Sequence, residues 1–233
     1  MERAESREPR AASRPPSPVP CPPGEWGLYL VTDRHQTGGR DLLEVVGLAL
    51  RAGVRAVQLR EKDLATRDPY HLAGKLLAMT RAAGAALFVN DRVDVAMALP
   101  AVGVHLTRRS LPSQEARELL GPAGLIGISC HSLAEVREAV DSRADFVVLG
   151  PIFETPSKTP YGAPLTTSLL QQARAATTLP ILAIGGINRA RIPDVMAAGA
   201  DGVAVISAVM AAPDPGAAAA ELLAAVARAR RVN

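Results

Sequence analysis

The chain repeats one unit along its length: an apolar run rich in β-branched residues that ends in polar groups and precedes an Ala- and Leu-rich helical stretch. Eight such units fit between Leu28 and Arg231, so each takes roughly 25 residues, the size typical of a strand–helix repeat in a (β/α)₈ barrel. The runs are almost continuously apolar, which indicates strands buried on both faces, as in a parallel sheet covered by helices. We therefore predict a single (β/α)₈, or TIM, barrel.

The predicted strands are short segments with polar residues at their C-terminal ends. They are LYLVTD (28–33), AVQLRE (56–61), LFVND (87–91), GVHLT (103–107), LIGIS (125–129), FVVLGPI (146–152), ILAIGGI (181–187) and GVAVIS (202–207). Predicted helices with Ser, Thr or Asp at their starts lie between them. A doubly wound sheet also alternates strands and helices, but no GxGxxG turn follows the first strand.

The composition indicates one globular domain and excludes several classes of function. The chain has 233 residues, of which 48% are hydrophobic and 21% charged, enough for a large core. No apolar run approaches the roughly 18 residues that span a bilayer, so we expect no membrane segment. Aromatic residues are 3% and the net charge is only +3, which argues against binding of nucleic acid. The two cysteines make a disulfide framework implausible and predict a reducing cytoplasm.

Residues 1–25 differ in kind from the rest of the chain. They are rich in Arg, Ser and Pro and contain no apolar stretch to bury, so we predict a disordered tail, with the barrel over residues 26–233. The tail lacks the apolar core of a secretory signal, and its acidic residues argue against a transit peptide. The sequence leaves the oligomeric state, including a homo-oligomer, open.

The strand ends define the expected site, because such barrels bind their ligands at the C-terminal ends of the strands. The chain contains 26 Lys and Arg residues, but only three are lysines, and two of these, Lys62 and Lys158, follow predicted strands. A compact ammonium group suits a point contact with phosphate. Two solvated loop lysines are the alternative.

A second signal comes from the last two units. Gly185 and Gly186 end the seventh predicted strand, and Ile206 and Ser207 end the eighth. Glycine lets backbone amides approach an anion, and Ser207 could begin a short helix whose N-terminus favours negative charge. We predict a phosphate site here, as barrels often build one from these loops; a tight turn is the alternative for the glycines.

Three further polar residues allow more than one interpretation. Asp91 could hold Mg²⁺ beside a diphosphate or cap the helix that follows it. His131 could carry a proton or simply flank a helix, and His105, inside GVHL, is expected to be structural.

The ordered segments LYLVTDR, QLREKD, FVNDRVDVAMA, GVHL, GISCHSLAEV, ADFVVLGPIFETPSK, AIGGI and AAGADGVAVISA resemble the thiamine phosphate synthase superfamily, which includes the TenI-type thiazole tautomerases. The resemblance covers residues 28–219 and supports the barrel. It implies a transferase of thiamine biosynthesis that joins hydroxymethylpyrimidine diphosphate to thiazole phosphate and releases pyrophosphate.

The resemblance also implies roles for single residues. Those implied for the pyrimidine diphosphate are Gln58, Arg60, Lys62, Asn90, Ser129 and Lys158, and those for the thiazole phosphate are Thr155, Ser157, Gly186, Ile206 and Ser207. Asp91 would be a Mg²⁺ ligand. Lys62, Lys158, Ser129 and His131 would take part in catalysis.

One segment departs from the synthase pattern. Synthases usually carry a second Mg²⁺ carboxylate shortly after GVHL, whereas here Ser110 stands at that position behind Arg108 and Arg109. This departure is similar to the tautomerase branch, in which a histidine at the position of His131 acts as acid and base without a cofactor. The segment TPSK (155–158) retains the synthase-like pattern. We predict a Mg²⁺-assisted synthase; the alternatives are a thiazole tautomerase and a non-catalytic barrel that binds thiazole or thiamine phosphate.

Overall fold

The predicted barrel is confirmed. The computed structural model describes residues 21–65, 67–100, 102–155 and 164–232. Eight parallel strands pair in chain order, and the last returns to the first to close the barrel. They are Leu28–Val31 (β1), Ala56–Leu59 (β2), Ala86–Asn90 (β3), Val102–Leu106 (β4), Ile126–Cys130 (β5), Phe146–Leu149 (β6), Ile181–Ile184 (β7) and Gly202–Val205 (β8).

Helices follow the strands and form the outer layer. They are Leu42–Arg51 (α1), Arg67–Ala82 (α2), Val93–Ala98 (α3), Ser113–Leu120 (α4), Leu133–Asp141 (α5), Thr166–Ala176 (α6), Ile192–Ala197 (α7), Ser207–Met210 (α8) and Pro215–Arg230 (α9). Asp41 and Asp214 cap α1 and α9, because their carboxylates accept backbone amides of the first turn. Within the described residues, no helix is long and apolar enough to cross a bilayer.

Most strands end earlier than predicted, because the polar residues after them enter other hydrogen bonds. Asp33, predicted to end the first strand, instead caps a turn of 3₁₀ helix (Arg34–Gln36), and its carboxylate accepts the amide of His35 at 3.1 Å. The sixth strand, predicted to reach residue 152, ends at Leu149 before the cis peptide bond between Gly150 and Pro151. The polar groups therefore lie in loops above the strands.

The predicted tail is too long at its C-terminal end. Residues 21–25 contain a turn of 3₁₀ helix (Pro23–Glu25), which leads into the buried indole of Trp26. The indole nitrogen donates to the Cys21 carbonyl at 2.9 Å, and Arg230 donates to the Gly24 carbonyl at 2.7 Å. The barrel therefore includes these residues; the disorder predicted for residues 1–20 concerns residues outside those described.

The barrel interior is filled by large side chains that face glycines on neighbouring strands. The ring of Trp26 lies with its centroid 5.1–5.8 Å from the rings of Tyr29, Phe88 and Phe146. Phe146 is the register partner of Gly127, and a Cβ added at Gly127 would lie 2.2 Å from Phe146 Cζ. Phe88 pairs with Gly103 in the same way. These pairs let a few aromatic rings close the N-terminal end of the barrel.

Replacement of Gly127 by Ala should destabilise the protein, because the new methyl group overlaps the Phe146 ring. We expect the free energy of unfolding to fall by about 1–3 kcal/mol, measured by urea denaturation. The control is Gly74→Ala in α2, where no atom lies within 4 Å of the added Cβ; it should be neutral or stabilising by up to about 1 kcal/mol. Equal effects of the two substitutions would contradict this description of the interior.

Candidate functional site

The strands are all parallel, so their C-terminal ends open on a single mouth. Above the aromatic rings, β2 to β5 contribute polar side chains to the interior, whereas β1, β6 and β7 contribute the apolar Val31, Val148 and Ile184. Asn90 ends β3 beside its register partner His105 on β4. The structure therefore brings together polar residues that are far apart in the sequence.

A chain of hydrogen bonds joins polar side chains of β1, β2, β4 and β5. Gln58 Nε2 lies 3.2 Å from the hydroxyl of Tyr29, the same hydroxyl lies 3.4 Å from His105 Nδ1, and His105 Nε2 lies 2.9 Å from Ser129 Oγ. Gln58 and His105 are buried. We call these four residues the interior relay. It connects the barrel interior to Ser129, which is half-buried at the mouth.

His105 is neutral in the folded protein. Burial lowers its pKa to about 3, and the positive charge of Arg60 lowers it further in the same direction. The prediction that His105 belongs to the framework rather than carrying protons fits this environment. Arg60 itself is half-buried, and its backbone amide donates to Thr32 Oγ1 at 3.0 Å.

A buried carboxylate fixes the loop after β2. Glu61, whose side chain is 1% exposed, accepts the Thr32 hydroxyl at 2.7 Å. It also accepts the backbone amide of Arg34 at 3.1 Å and the guanidinium of Arg34 at 3.2 Å. These contacts join the loop after β1 to the loop after β2.

The other end of the same turn is fixed by Asp63. Its carboxylate receives two hydrogen bonds from the Arg34 guanidinium, at 2.7 and 2.5 Å, and lies 3.0 Å from His35 Nε2. The hydrogen bonds from Arg34, and to a smaller extent the contact with His35, hold the pKa of Asp63 well below its ordinary value. Lys62 lies between Glu61 and Asp63 and is exposed, so a fixed turn carries its ammonium group at the mouth.

Asp91 does not cap the helix after β3, which excludes one of its two interpretations. Helix α3 begins at Val93, and no side chain caps it. Asp91 itself has a positive φ of 67°, and its amide donates to the His105 carbonyl at 2.9 Å. Its carboxylate is exposed and makes no hydrogen bond within the described part of the chain. It is therefore available to a cation.

Ser110 has a structural role in the loop after β4. Its hydroxyl oxygen accepts the Thr107 amide at 2.7 Å and lies 3.2 Å from the Thr107 hydroxyl. The exposed Arg108 forms an ion pair with the half-buried Glu135 at 3.4 Å. Across the described residues, no group of three or more His, Cys, Asp or Glu side chains could hold a metal ion. Asp91 offers one exposed carboxylate at the end of β3, which suits an ion that takes its other oxygens from substrate and water.

His131 follows β5 and is held by two contacts. Its amide donates to Glu135 at 2.6 Å, and its ring Nδ1 lies against the carbonyl oxygen of Gly150. A carbonyl only accepts, so Nδ1 carries the hydrogen of this contact and Nε2 of the neutral ring is left as an acceptor. Ser132, rather than His131, caps α5.

The loops after β7 and β8 complete the mouth. Gly186 has φ +63°, and an added Cβ would lie 2.6 Å from the Glu154 carbonyl oxygen. Its own carbonyl accepts Arg191 Nη1 at 2.7 Å. Ser207 is exposed and begins α8, as predicted, and Ile206 is half-buried before it. The glycine is thus required by a close packing of the loop after β6 on the loop after β7.

The loop after β6 is described only in part. Thr155 is half-buried. Ser157 and Lys158, both predicted to bind substrate, lie outside the described residues.

The chain is similar to a family of known function. The family model described as thiamine monophosphate synthase matches residues 28–209. Thiamine-phosphate synthase of Roseiflexus sp. (strain RS-1) is 45% identical over 91% of this chain and 90% of its own length. That of Moorella thermoacetica is 46% identical over 88% and 98%. Among solved structures, thiamine phosphate pyrophosphorylase from Pyrococcus furiosus is 37% identical with a TM-score of 0.81, covering 89% of this chain and 98% of its own.

The chain belongs to the thiamine monophosphate synthase family. The resemblance drawn from the sequence motifs is therefore confirmed.

The sequence analysis missed three residues that contact the groups at the mouth or the loops around it. They are Tyr29 in the interior relay, Arg34 between the two carboxylates, and Arg191, whose guanidinium lies 4.7 Å from the centroid of the Phe153 ring. Tyr29 is the one hydroxyl in the apolar run LYLV, a signal that could have indicated a buried polar contact. Arg34 and Arg191 are two of 23 arginines, and nothing in the sequence distinguishes them.

Glu61→Gln should loosen the turn that carries Lys62, because a neutral amide makes weaker hydrogen bonds to Arg34 and donates where the site needs an acceptor. We expect the free energy of unfolding to fall by about 1–3 kcal/mol in urea denaturation. Glu118→Gln on the exposed face of α4 is the matched control and should change it by less than about 0.5 kcal/mol. If both variants unfold at the same urea concentration, Glu61 does not anchor this turn.

Proposed function

We propose that the mouth of this barrel is the active site of a thiamine-phosphate synthase. The enzyme is a transferase that joins hydroxymethylpyrimidine diphosphate to thiazole phosphate and releases pyrophosphate. The observation that carries the proposal is the identity of 45–46% to two such synthases over about nine-tenths of each chain. Phosphorylated small molecules are accordingly the partners we assign to the mouth.

The residues after β2 carry the positive charge for the pyrimidine diphosphate. In the proposed reaction, charge develops on the departing pyrophosphate, and fixed cations aimed at that position stabilise the transition state. Arg60 and Lys62 supply such cations, and the hydrogen bonds to Thr32 and Arg34 support a fixed position for them. Lys158 is assigned to the same group on its sequence pattern.

The polar side chains of β2, β3 and β5 are proposed to hold the pyrimidine end of this substrate. Gln58, Asn90 and Ser129 lie near the mouth and present amide and hydroxyl groups that can donate or accept. Their half-buried or buried positions support a role in orientation, since hydrogen bonds shielded from water discriminate more strongly.

The opposite side of the mouth is assigned to the thiazole phosphate. Gly186 and Ser207 place backbone amides at the ends of neighbouring strands β7 and β8, a common phosphate site in barrels. Ile206 offers an apolar contact, and Thr155 and Ser157 are assigned hydroxyl contacts on their sequence pattern.

Asp91 is the residue that we assign to Mg²⁺. Its exposed carboxylate fits an ion that needs only one or two protein carboxylates beside substrate oxygens, and Ser110, already engaged with Thr107, is not assigned to it. When bound, the ion would neutralise charge on the diphosphate. Arg108 and Arg109 add positive charge to the same loop.

The thiazole tautomerase remains a second candidate on one observation. The contact of His131 with the Gly150 carbonyl leaves Nε2 as an acceptor, which a general base at this position requires. We rank it below the synthase because the similar proteins are synthases. A third candidate, a barrel that binds without turnover, has no specific support.

We further propose that the enzyme works in the cytoplasm. Cys21 and Cys130 form no disulfide. Burial raises the pKa of the Cys130 thiol to about 12, and the negative charges of Glu135 and Glu138 add to this effect. Unpaired thiols support a reducing compartment.

Lys62→Ala should weaken binding of the pyrimidine diphosphate by about 1.5–3 kcal/mol, the scale of a hydrogen bond to a charged group, which corresponds to roughly 10- to 150-fold in KM. The measurement is pyrophosphate release by the purified protein with both substrates and Mg²⁺. Lys75→Ala on α2, also an exposed lysine, is the control and should behave as the wild type. No pyrophosphate release by the wild type would refute the synthase; turnover of the thiazole carboxylate phosphate that persists with a chelator and disappears in His131→Ala would identify the tautomerase.

Asp91→Asn should raise the Mg²⁺ concentration for half-maximal activity by about tenfold or more, because the ion loses its anionic protein ligand. Ser110→Asp should lower that concentration, since it adds a second carboxylate to the same edge. Asp141→Asn, at the exposed end of α5, is the control for charge alone. A Mg²⁺ titration that is identical in all four proteins would contradict the role of Asp91.

A further inference from the structure

We propose that Tyr29 and His105 are positioning residues that orient the Ser129 hydroxyl as a hydrogen-bond donor toward the substrate in the mouth. This inference deepens the proposed synthase function and rests on it. It follows from the positions of the hydrogens along the interior relay, because each hydrogen bond needs one donor and one acceptor.

The relay begins with a group that can only donate. The Gln58 amide nitrogen faces the Tyr29 hydroxyl, so the Tyr29 oxygen is the acceptor of that bond. Burial raises the pKa of Tyr29 well above its ordinary value, so the hydroxyl keeps its own hydrogen. The acceptor facing that hydrogen is His105 Nδ1.

The tautomer of His105 is then determined. A neutral imidazole carries one hydrogen, and an Nδ1 that accepts leaves that hydrogen on Nε2. Nε2 lies 2.9 Å from Ser129 Oγ and donates to it. The His105 ring is buried, and the centroids of the Tyr29 and Phe146 rings lie 5.8 Å from its own, an environment that favours the neutral imidazole.

The last member of the relay faces the substrate. Because Ser129 Oγ accepts the hydrogen of His105 Nε2, the hydroxyl hydrogen of Ser129 can be donated to another group. Ser129 is half-buried at the mouth, so that group can be the substrate. The ring nitrogens of a pyrimidine, like the oxygens of a diphosphate, accept hydrogen bonds, so a donor at Ser129 suits the end of the substrate assigned to it. With the Gln58 amide turned over, every bond would reverse: Ser129 would donate to His105 and could offer the substrate only an acceptor.

The two possible directions of hydrogen bonding along the interior relay can be distinguished without any activity measurement. In protein labelled with ¹⁵N at histidine, two-bond ¹H–¹⁵N correlations identify which ring nitrogen carries the hydrogen, and His105→Gln assigns the signal among the four histidines. We expect the Nε2–H tautomer at pH 7, with and without pyrophosphate. The Nδ1–H tautomer would overturn the proposal even if the protein is an active synthase.

Tyr29→Phe tests the consequence for catalysis. It removes the hydroxyl that fixes His105 and keeps the ring that packs on Trp26 and Phe88. We expect a mixture of His105 tautomers and a kcat about tenfold lower, the scale of one hydrogen bond, with KM for the thiazole phosphate unchanged. Tyr70→Phe on the exposed face of α2 is the control and should change neither quantity.

A double substitution separates positioning from a general loss of structure. If Tyr29 acts through Ser129, then Tyr29→Phe combined with Ser129→Ala should have the same kcat as Ser129→Ala alone. A double variant whose loss of kcat equals the product of the two single losses would overturn the positioning role. A normal kcat for Tyr29→Phe would also overturn it. A wild type that releases no pyrophosphate would refute the synthase itself, whereas the tautomer measurement would still decide the hydrogen order.

Discussion

Closure of eight parallel strands into one hydrogen-bonded ring is the constraint on which the rest of this protein depends. It leaves no sheet edge unpaired and directs all eight C-terminal strand ends to one mouth. It also creates a narrow interior that has to be filled. Here the lower part is filled by the packed rings of Trp26, Phe88 and Phe146, and Phe88 and Phe146 face glycines on neighbouring strands.

The same geometry explains how residues far apart in sequence form one site. Loops after neighbouring strands are adjacent, so Arg34 after β1 can reach both Glu61 and Asp63 after β2. The Arg34 guanidinium pairs with both anions that fix this turn, and Arg60 and Lys62, the residues that we assign to the diphosphate, lie in the same loop. The contacts of Arg34 with this segment thus depend on which strands are neighbours around the ring.

Much of this could be predicted from the sequence, because the barrel and its mouth follow from periodicity. The number of strands, their apolar character and the polar residues after them are local patterns, and the structure confirms them. The role of Asp91 was not decidable, since a cap and a metal ligand require the same residue at the same place; the positive φ and the uncapped start of α3 exclude the cap. The packing of Trp26 under the barrel and the contacts of Arg34 and Arg191 depend on loops that meet only after closure, and for that reason the tail was predicted too long.

The central claim is that one mouth holds both ligands, with pyrophosphate on the β2–β3 side and the thiazole phosphate on the β7–β8 side. A crystal structure with thiamine phosphate, pyrophosphate and Mg²⁺ tests it most directly. The account predicts pyrophosphate near Arg60, Lys62 and Asp91, and the phosphate of thiamine phosphate against the amides of Gly186 and Ser207. Density for either ligand at the N-terminal end of the barrel, beside Trp26, would contradict it.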